Sequence, residues 1–168
     1  TILQADTILE AHSHNKYHNL LRYNQYYWGS NSVGLALAFD LIQAYNIAGQ
    51  TEYKNAALDQ LHFILGRNPL NLSQVTGVGS VSVQNPYHQL SEMDDVNAPV
   101  PGMLVGGPND HLLLNNKKIS PYPSKNYEDL FKNYLVNEPA INFTAILVYV
   151  TGAISTPIDK PKNTNISK

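Results

Sequence analysis

The chain has 168 residues, 43% of them hydrophobic, with 11 Lys and Arg against 13 Asp and Glu and a net charge of −2. That length holds one domain with a packed core, and the near-neutral balance shows neither the basic stripe of a nucleic-acid binder nor a charged tail. The absence of cysteine excludes disulfides, thiolate nucleophiles and cysteine-type zinc sites, and no apolar stretch reaches membrane-spanning length.

Thr1 to about His12 reads as a short helix with Ile2, Leu3, Ile8 and Leu9 on one side. It starts abruptly, as if cut from a larger protein, and carries no basic segment followed by a long apolar run, so no signal peptide is expected in it. The polar, aromatic loop HSHNKYHNLLRYNQYYWGSN follows. His12, His14 and His18 raise the question of a metal. No acidic residue lies among them, so they read as solvated or ring-stacking side chains, and no metal site is expected in the chain. Ser32 to Ala48 is the clearest helix, with Asn31 or Ser32 as cap and Gly49 as stop. Val33, Leu37, Leu41, Ala44 and Ala48 share one face, and Leu35, Phe39 and Ile42 much of another, which predicts burial on most sides. A further helix runs from about Glu52 to Leu65, capped by Thr51 and stopped by Gly66, with Tyr53, Ala57, Leu61, Ile64 and Leu65 inward. The link is short, so the two helices should pack antiparallel.

Arg67 to about Lys125 is rich in Gly, Pro, Asn and Ser and lacks helical period. Ser80 to Gln84, SVSVQ, has the alternation of a short strand. Its punctuation (NPL, TGVG, NPYH, PVPG, GGPN) is that of an ordered loop, and Gly106 and Gly107 fit turns better than a phosphate cradle. Asn137 to Gly152 predicts a last, nearly all-apolar helix with a proline start and a glycine stop. Residues 156–168 read as a polar tail or linker. These helices have more apolar surface than they can bury on one another, which suggests part of a larger domain. The chain has 11 Tyr against four Phe and one Trp; this suits a wet groove for sugars or peptides, or is compositional drift.

Two carboxylates, Asp129 and Glu138, stand nine residues apart in YEDLFKNYLVNEPAINFTA, with Tyr127, Phe131 and Tyr134 around them. Pro139 predicts that Glu138 sits at or next to a helix N-terminus. A carboxylate there is favoured by the helix dipole without any catalytic role, so capping and chemistry both remain open from this stretch alone.

YYWGSN (Tyr26 to Asn31), FILGRNPLNLSQVTGVG (Phe63 to Gly79), NPYHQLS (Asn85 to Ser91), VPGMLVGGPN (Val100 to Asn109) and the Tyr127–Ala145 stretch together resemble the C-terminal part of the catalytic domain of glycoside hydrolase family 9. The likeness runs from about Tyr26 to about Ile154. It implies an all-α fold, residues 1–155 forming an incomplete part of an (α/α)6 barrel with long ordered loops at a sugar-binding cleft. It implies inverting hydrolysis of β-1,4-linked glucan, a secreted or periplasmic protein, and a β-glucan or oligosaccharide as partner, besides the N-terminal part of the barrel. Glu138 matches the family's general acid and Asp129 its nearby active-site aspartate; Tyr87, His88, Tyr127 and Tyr134 are the candidate sugar contacts. No cofactor is implied for this chain, although calcium is compatible with the intact domain. An inverting pair stands roughly 6.5–9.5 Å apart, and the acid must hold its proton, through burial or a like charge such as Asp129.

Three positions depart from the family's pattern. Tyr87 replaces the first His of a His-His-Arg run, Gln89 replaces its Arg and loses a bidentate fork, and Thr144 replaces an Asn. These changes raise an exo-acting β-glucosidase or glucosaminidase relative, or a non-catalytic carbohydrate-binding remnant, as alternatives. The family's base aspartates lie upstream of the region matched, so the chain alone should not hydrolyse anything.

Overall fold

The computed structural model describes residues 2–111 and 113–156; the expected tail at 156–168 therefore lies, beyond its first residue, outside the described residues. Six helices are named here: α1 (Ile2–Ser13), α2 (Ser30–Ala48), α3 (Thr51–Ile64), α4 (Gln89–Met93), α5 (Tyr134–Asn137) and α6 (Ile141–Ser155). The architecture is all-α among the described residues, as the resemblance implied.

Helix α2 ends as its sequence predicts. Gly49 adopts φ +70, and its N–H donates to the Tyr45 carbonyl at 2.8 Å, a left-handed stop that glycine takes without a Cβ penalty. Its start differs from expectation. The N-cap is Gly29, and neither side chain expected to cap does so: Asn31 Nδ2 donates to the Val105 carbonyl at 2.9 Å and Ser32 Oγ to the Gly29 carbonyl at 2.8 Å. Buried polar groups need partners, and at Asn31 a tertiary partner outcompetes local capping. Gly49 and Gln50 alone separate α2 from α3, and α3 folds back along it. Gly34 of α2 meets the Gln60 side chain of α3 so closely that a Cβ would lie 2.4 Å from Gln60 Nε2.

The main core joins α1, α2, α3 and α6 through Ala5, Ile8, Leu35, Leu41, Tyr53, Ile64, Phe143, Leu147 and Val150. Burying side chains of this kind contributes about 1.5–3 kcal/mol each before entropy is counted. Helix α6 buries only Phe143, Leu147 and Val150; Ile141 is 91% exposed and Val148 67%. An apolar helix with one face bare is what the surplus of apolar surface in the sequence foreshadows.

The expected strand at Ser80–Gln84 does not form. Ser82 makes a single parallel bridge to Ser73, and isolated antiparallel bridges join Val75 to Leu104 and Val105 to Pro139. Alternating apolar residues here bury Val83 in a small second core with Val105, Tyr127 and Val136, and the backbone pairs one residue at a time. These bridges bind the long loop into the body and carry the segments that make the site.

Candidate active site

Glu138 lies where two helices are interrupted. It precedes Pro139, whose ring disfavours helical backbone in the residue before it; Glu138 is accordingly extended, at φ −78 and ψ 123. One turn of helix, α5, ends just before it. Helix α6 begins at Ile141 with Ala140 as N-cap, not at Asn137, so Glu138 stands two residues outside the cap and not in the first turn. Its backbone is fixed from both sides. The Gly106 N–H donates to the Glu138 carbonyl at 2.9 Å, and the Gly107 N–H to the Val136 carbonyl at 2.8 Å. Gly107 has φ +90, and a Cβ there would lie 2.4 Å from the Asn31 side chain, so this crossing requires glycine. The Glu138 side chain is half-buried, and among the described residues no donor reaches its carboxyl group.

Asn137, beside it, is fully buried and was not singled out by the sequence. Its Oδ1 accepts from the Tyr127 hydroxyl, and its Nδ2 donates to the Asn85 carbonyl and, at 3.0 Å, to Asp129 Oδ1. Its own carbonyl accepts the Tyr87 N–H at 2.8 Å. One side chain therefore ties the Asn85 segment, 52 residues away, to Tyr127 and Asp129. The signal for it was a polar residue beside Leu135 and Val136, but its partner at Asn85 lies too far along the chain to be inferred.

Asp129 faces backbone rather than open space. Oδ2 accepts from the Gln84 N–H at 2.7 Å and Oδ1 from the Asn85 N–H at 2.9 Å, besides Asn137. A carboxylate with such charge-assisted bonds on both oxygens holds the segment that leads to Tyr87 and His88. Tyr127, expected among the sugar contacts, is interior: it is 6% exposed, packs in the second core, and gives its hydroxyl to Asn137. Burial first, then the Asp129 charge, pushes its phenol well above the usual value.

The other expected sugar contacts gather. The Tyr87 ring lies 5.2 Å from Phe131 and 5.9 Å from Tyr134, centroid to centroid, and Tyr134 is 47% exposed. His88 caps α4, with Nδ1 2.9 Å from Ser91 Oγ and accepting the Ser91 N–H at 3.3 Å. The neutral ring then carries its proton on Nε2. His88 also lines an apolar groove of about 430 Å³ with Met103, Pro139, Ile141, Thr144 and Val148. Thr144, one of the departures, accepts the Leu104 N–H through Oγ1 at 3.3 Å.

Residues 3–151 match the glycosyl hydrolase family 9 pattern. The chain belongs to glycosyl hydrolase family 9. Among its relatives, a xyloglucan-specific endo-beta-1,4-glucanase of Bacteroides ovatus is 32% identical over 153 residues, covering 89% of this chain and 26% of that protein. Endoglucanase D of Acetivibrio thermocellus is 36% identical over 145 residues, covering 86% of this chain and 21% of the relative. The solved family 9 endoglucanase J30 superposes with a TM-score of 0.85 at 35% identity, over 92% of this chain and 29% of that one. The chain thus spans between a fifth and a third of these family 9 proteins, and its helices form part of an (α/α)6 barrel.

A metal-competent group lies in a different part of the chain. His12 and His18 meet Asp59 of α3, a carboxylate 41 residues beyond His18 that the local sequence did not reveal.

Proposed function

We propose that the whole protein hydrolyses β-1,4-linked glucan with inversion at the anomeric carbon, and that this chain supplies the proton donor, Glu138. The observation that carries the reading is the contrast between two carboxyl groups. Asp129 is saturated by amides, whereas among the described residues no donor reaches the Glu138 carboxyl, on a backbone held from both sides. A general acid must reach the leaving glycosidic oxygen with a proton, which a group committed to backbone amides cannot do. The Asn137–Tyr87 link sets an aromatic surface of Tyr87 and Tyr134 beside the acid, suited to the apolar face of a sugar ring. His88 Nε2–H supplies a donor for a hydroxyl.

The partners follow from this reading. The base that activates water comes from the rest of the barrel, which also covers the bare face of α6. The domain reading is residues 1–155 as catalytic-domain sequence. The substrate is a glucan chain met outside the cytoplasm, by secretion or export to the periplasm. Asp129 acts by positioning the 84–88 segment.

The test uses the intact gene product on a soluble β-glucan. Glu138→Gln keeps the shape and removes the proton; activity should fall by about three orders of magnitude or more, within the range of general acid catalysis and its coupled contributions. Proton NMR of the first products should show the α-anomer. Full activity in Glu138→Gln would sink the assignment, and sugar binding without turnover in the wild type would leave a carbohydrate-binding remnant.

A further inference from the structure

His12 stands in the last turn of α1, with Nε2 3.0 Å from Asp59 Oδ2. Arg67 Nη2 donates to the other oxygen, Oδ1, at 2.6 Å. The His18 ring lies 5.4 Å from that of His12. Each of His12, His18 and Asp59 offers one ligand atom, all within 4.8 Å of one another. Consecutive turns make this meeting: the Asn15 N–H donates to the His12 carbonyl at 3.0 Å, and the His18 N–H to the Asn15 carbonyl at 2.9 Å. His18 takes φ +52, a conformation uncommon for a residue with a Cβ.

We propose that His12, His18 and Asp59 form a divalent transition-metal site of the zinc type. Two imidazoles and one carboxylate suit zinc, with bonds of about 2.0–2.2 Å. They do not suit calcium, which takes six to eight oxygens. Ligand atoms on a tetrahedral zinc stand about 3.4 Å apart, by the geometry of those bonds. The spacing here brackets that value, so side-chain rotation closes the site. Arg67 fixes Asp59 through Oδ1 and leaves Oδ2 directed at His12, an outer partner that orients a metal ligand. His18 is exposed, which leaves water access to a fourth position. An ion pair of His12 with Asp59 would explain two of the three side chains. It gives no reason for His18 to hold a left-handed backbone that turns its ring onto the pair. The metal ties the end of α1 and its following loop to α3, and its role is structural, since the proposed acid stands on other segments.

The experiment takes the intact protein, stripped with a chelator and titrated with zinc. Crystals grown with zinc should show anomalous density among His12, His18 and Asp59, and zinc should raise Tm. His18→Asn, which tolerates the left-handed turn and keeps the His12–Asp59–Arg67 contacts, should lose that density and at least about tenfold in affinity at this site. His14→Ala, outside the cluster, should bind as wild type does. The proposal fails if no anomalous peak stands at these side chains in the wild type, or if the peak and the affinity survive His18→Asn.

Discussion

The Tyr87 N–H donates to the Asn137 carbonyl at 2.8 Å, one residue before Glu138. The same asparagine's side chain reaches Tyr127, Asn85 and Asp129, so the backbone that carries the proposed acid and the one that carries Tyr87 move together. Asn137→Ala removes the side-chain links and leaves buried polar partners unmet. A cost of about 1–3 kcal/mol per unmet group is expected, read as a lower urea midpoint for the intact protein. The kcat should fall with it although Glu138 is untouched. A variant of normal kcat would separate the network from catalysis.

Asp129→Asn tests whether this carboxylate positions or reacts. The amide keeps the volume, but its NH2 must face either the Gln84 or the Asn85 N–H, so one bond becomes a repulsion. The expected loss is about 1–3 kcal/mol, or a five- to 150-fold fall in kcat/KM, with the pH profile unchanged in shape. Loss of one limb of the profile, or a fall as deep as that of Glu138→Gln, would make Asp129 a catalytic group instead.

How much of this was legible depends on the range of the forces involved. Helix α2 and its stop at Gly49 follow from local pattern and a local backbone preference. The break at Glu138 was also legible: a residue before proline avoids helical backbone, and giving weight to the proline as a helix start alone moved α6 four residues too early. Asn31 was read as a local cap because its partner, Val105, lies 74 residues away. Tyr127 shows the same limit. A tyrosine suits a wet cleft or an interior with one polar partner, and Asn137 and the second core decide for the interior. The departures at Tyr87 and Thr144 were visible as letters; what they do, ring packing on Phe131 and a bond to Leu104, was not.

The α2–α3 crossing at Gly34 gives a stability prediction independent of the site. A methyl group there would meet Gln60 Nε2 at 2.4 Å and Cδ at 2.8 Å. Gln60 cannot swing away cheaply, because its Oε1 accepts the Leu20 N–H at 2.8 Å and the side chain is fully buried. The usual gain of alanine over glycine within a helix, about 1 kcal/mol, should be outweighed by overpacking of about 1–3 kcal/mol and the strained Leu20 bond. Gly34→Ala should therefore lower Tm in the intact protein, and Gly34→Ala with Gln60→Ala should recover part of the loss. A rise in Tm for the single variant would show that Gln60 has room.

Alkaline pH should unfold the protein through its buried tyrosines. Burial pushes the Tyr26 phenol up to about 12, against the opposing hydrogen bonds of Asn19 and Ser124, and raises Tyr127 well above its usual value. A pKa raised in the folded state means that folding favours the protonated form. Below about pH 10 both states hold these protons and the contribution is constant. Above it the unfolded chain releases them first, so stability falls as pH rises toward the folded-state values. Urea midpoints should be flat up to about pH 9.5 and then decline, with a share of the phenolate absorbance appearing only on unfolding. Tyr127→Phe should be less stable at neutral pH, having lost the bond to Asn137, yet show a shallower alkaline decline. Equal slopes in the two proteins would mean that the Tyr127 phenol ionises in the folded state.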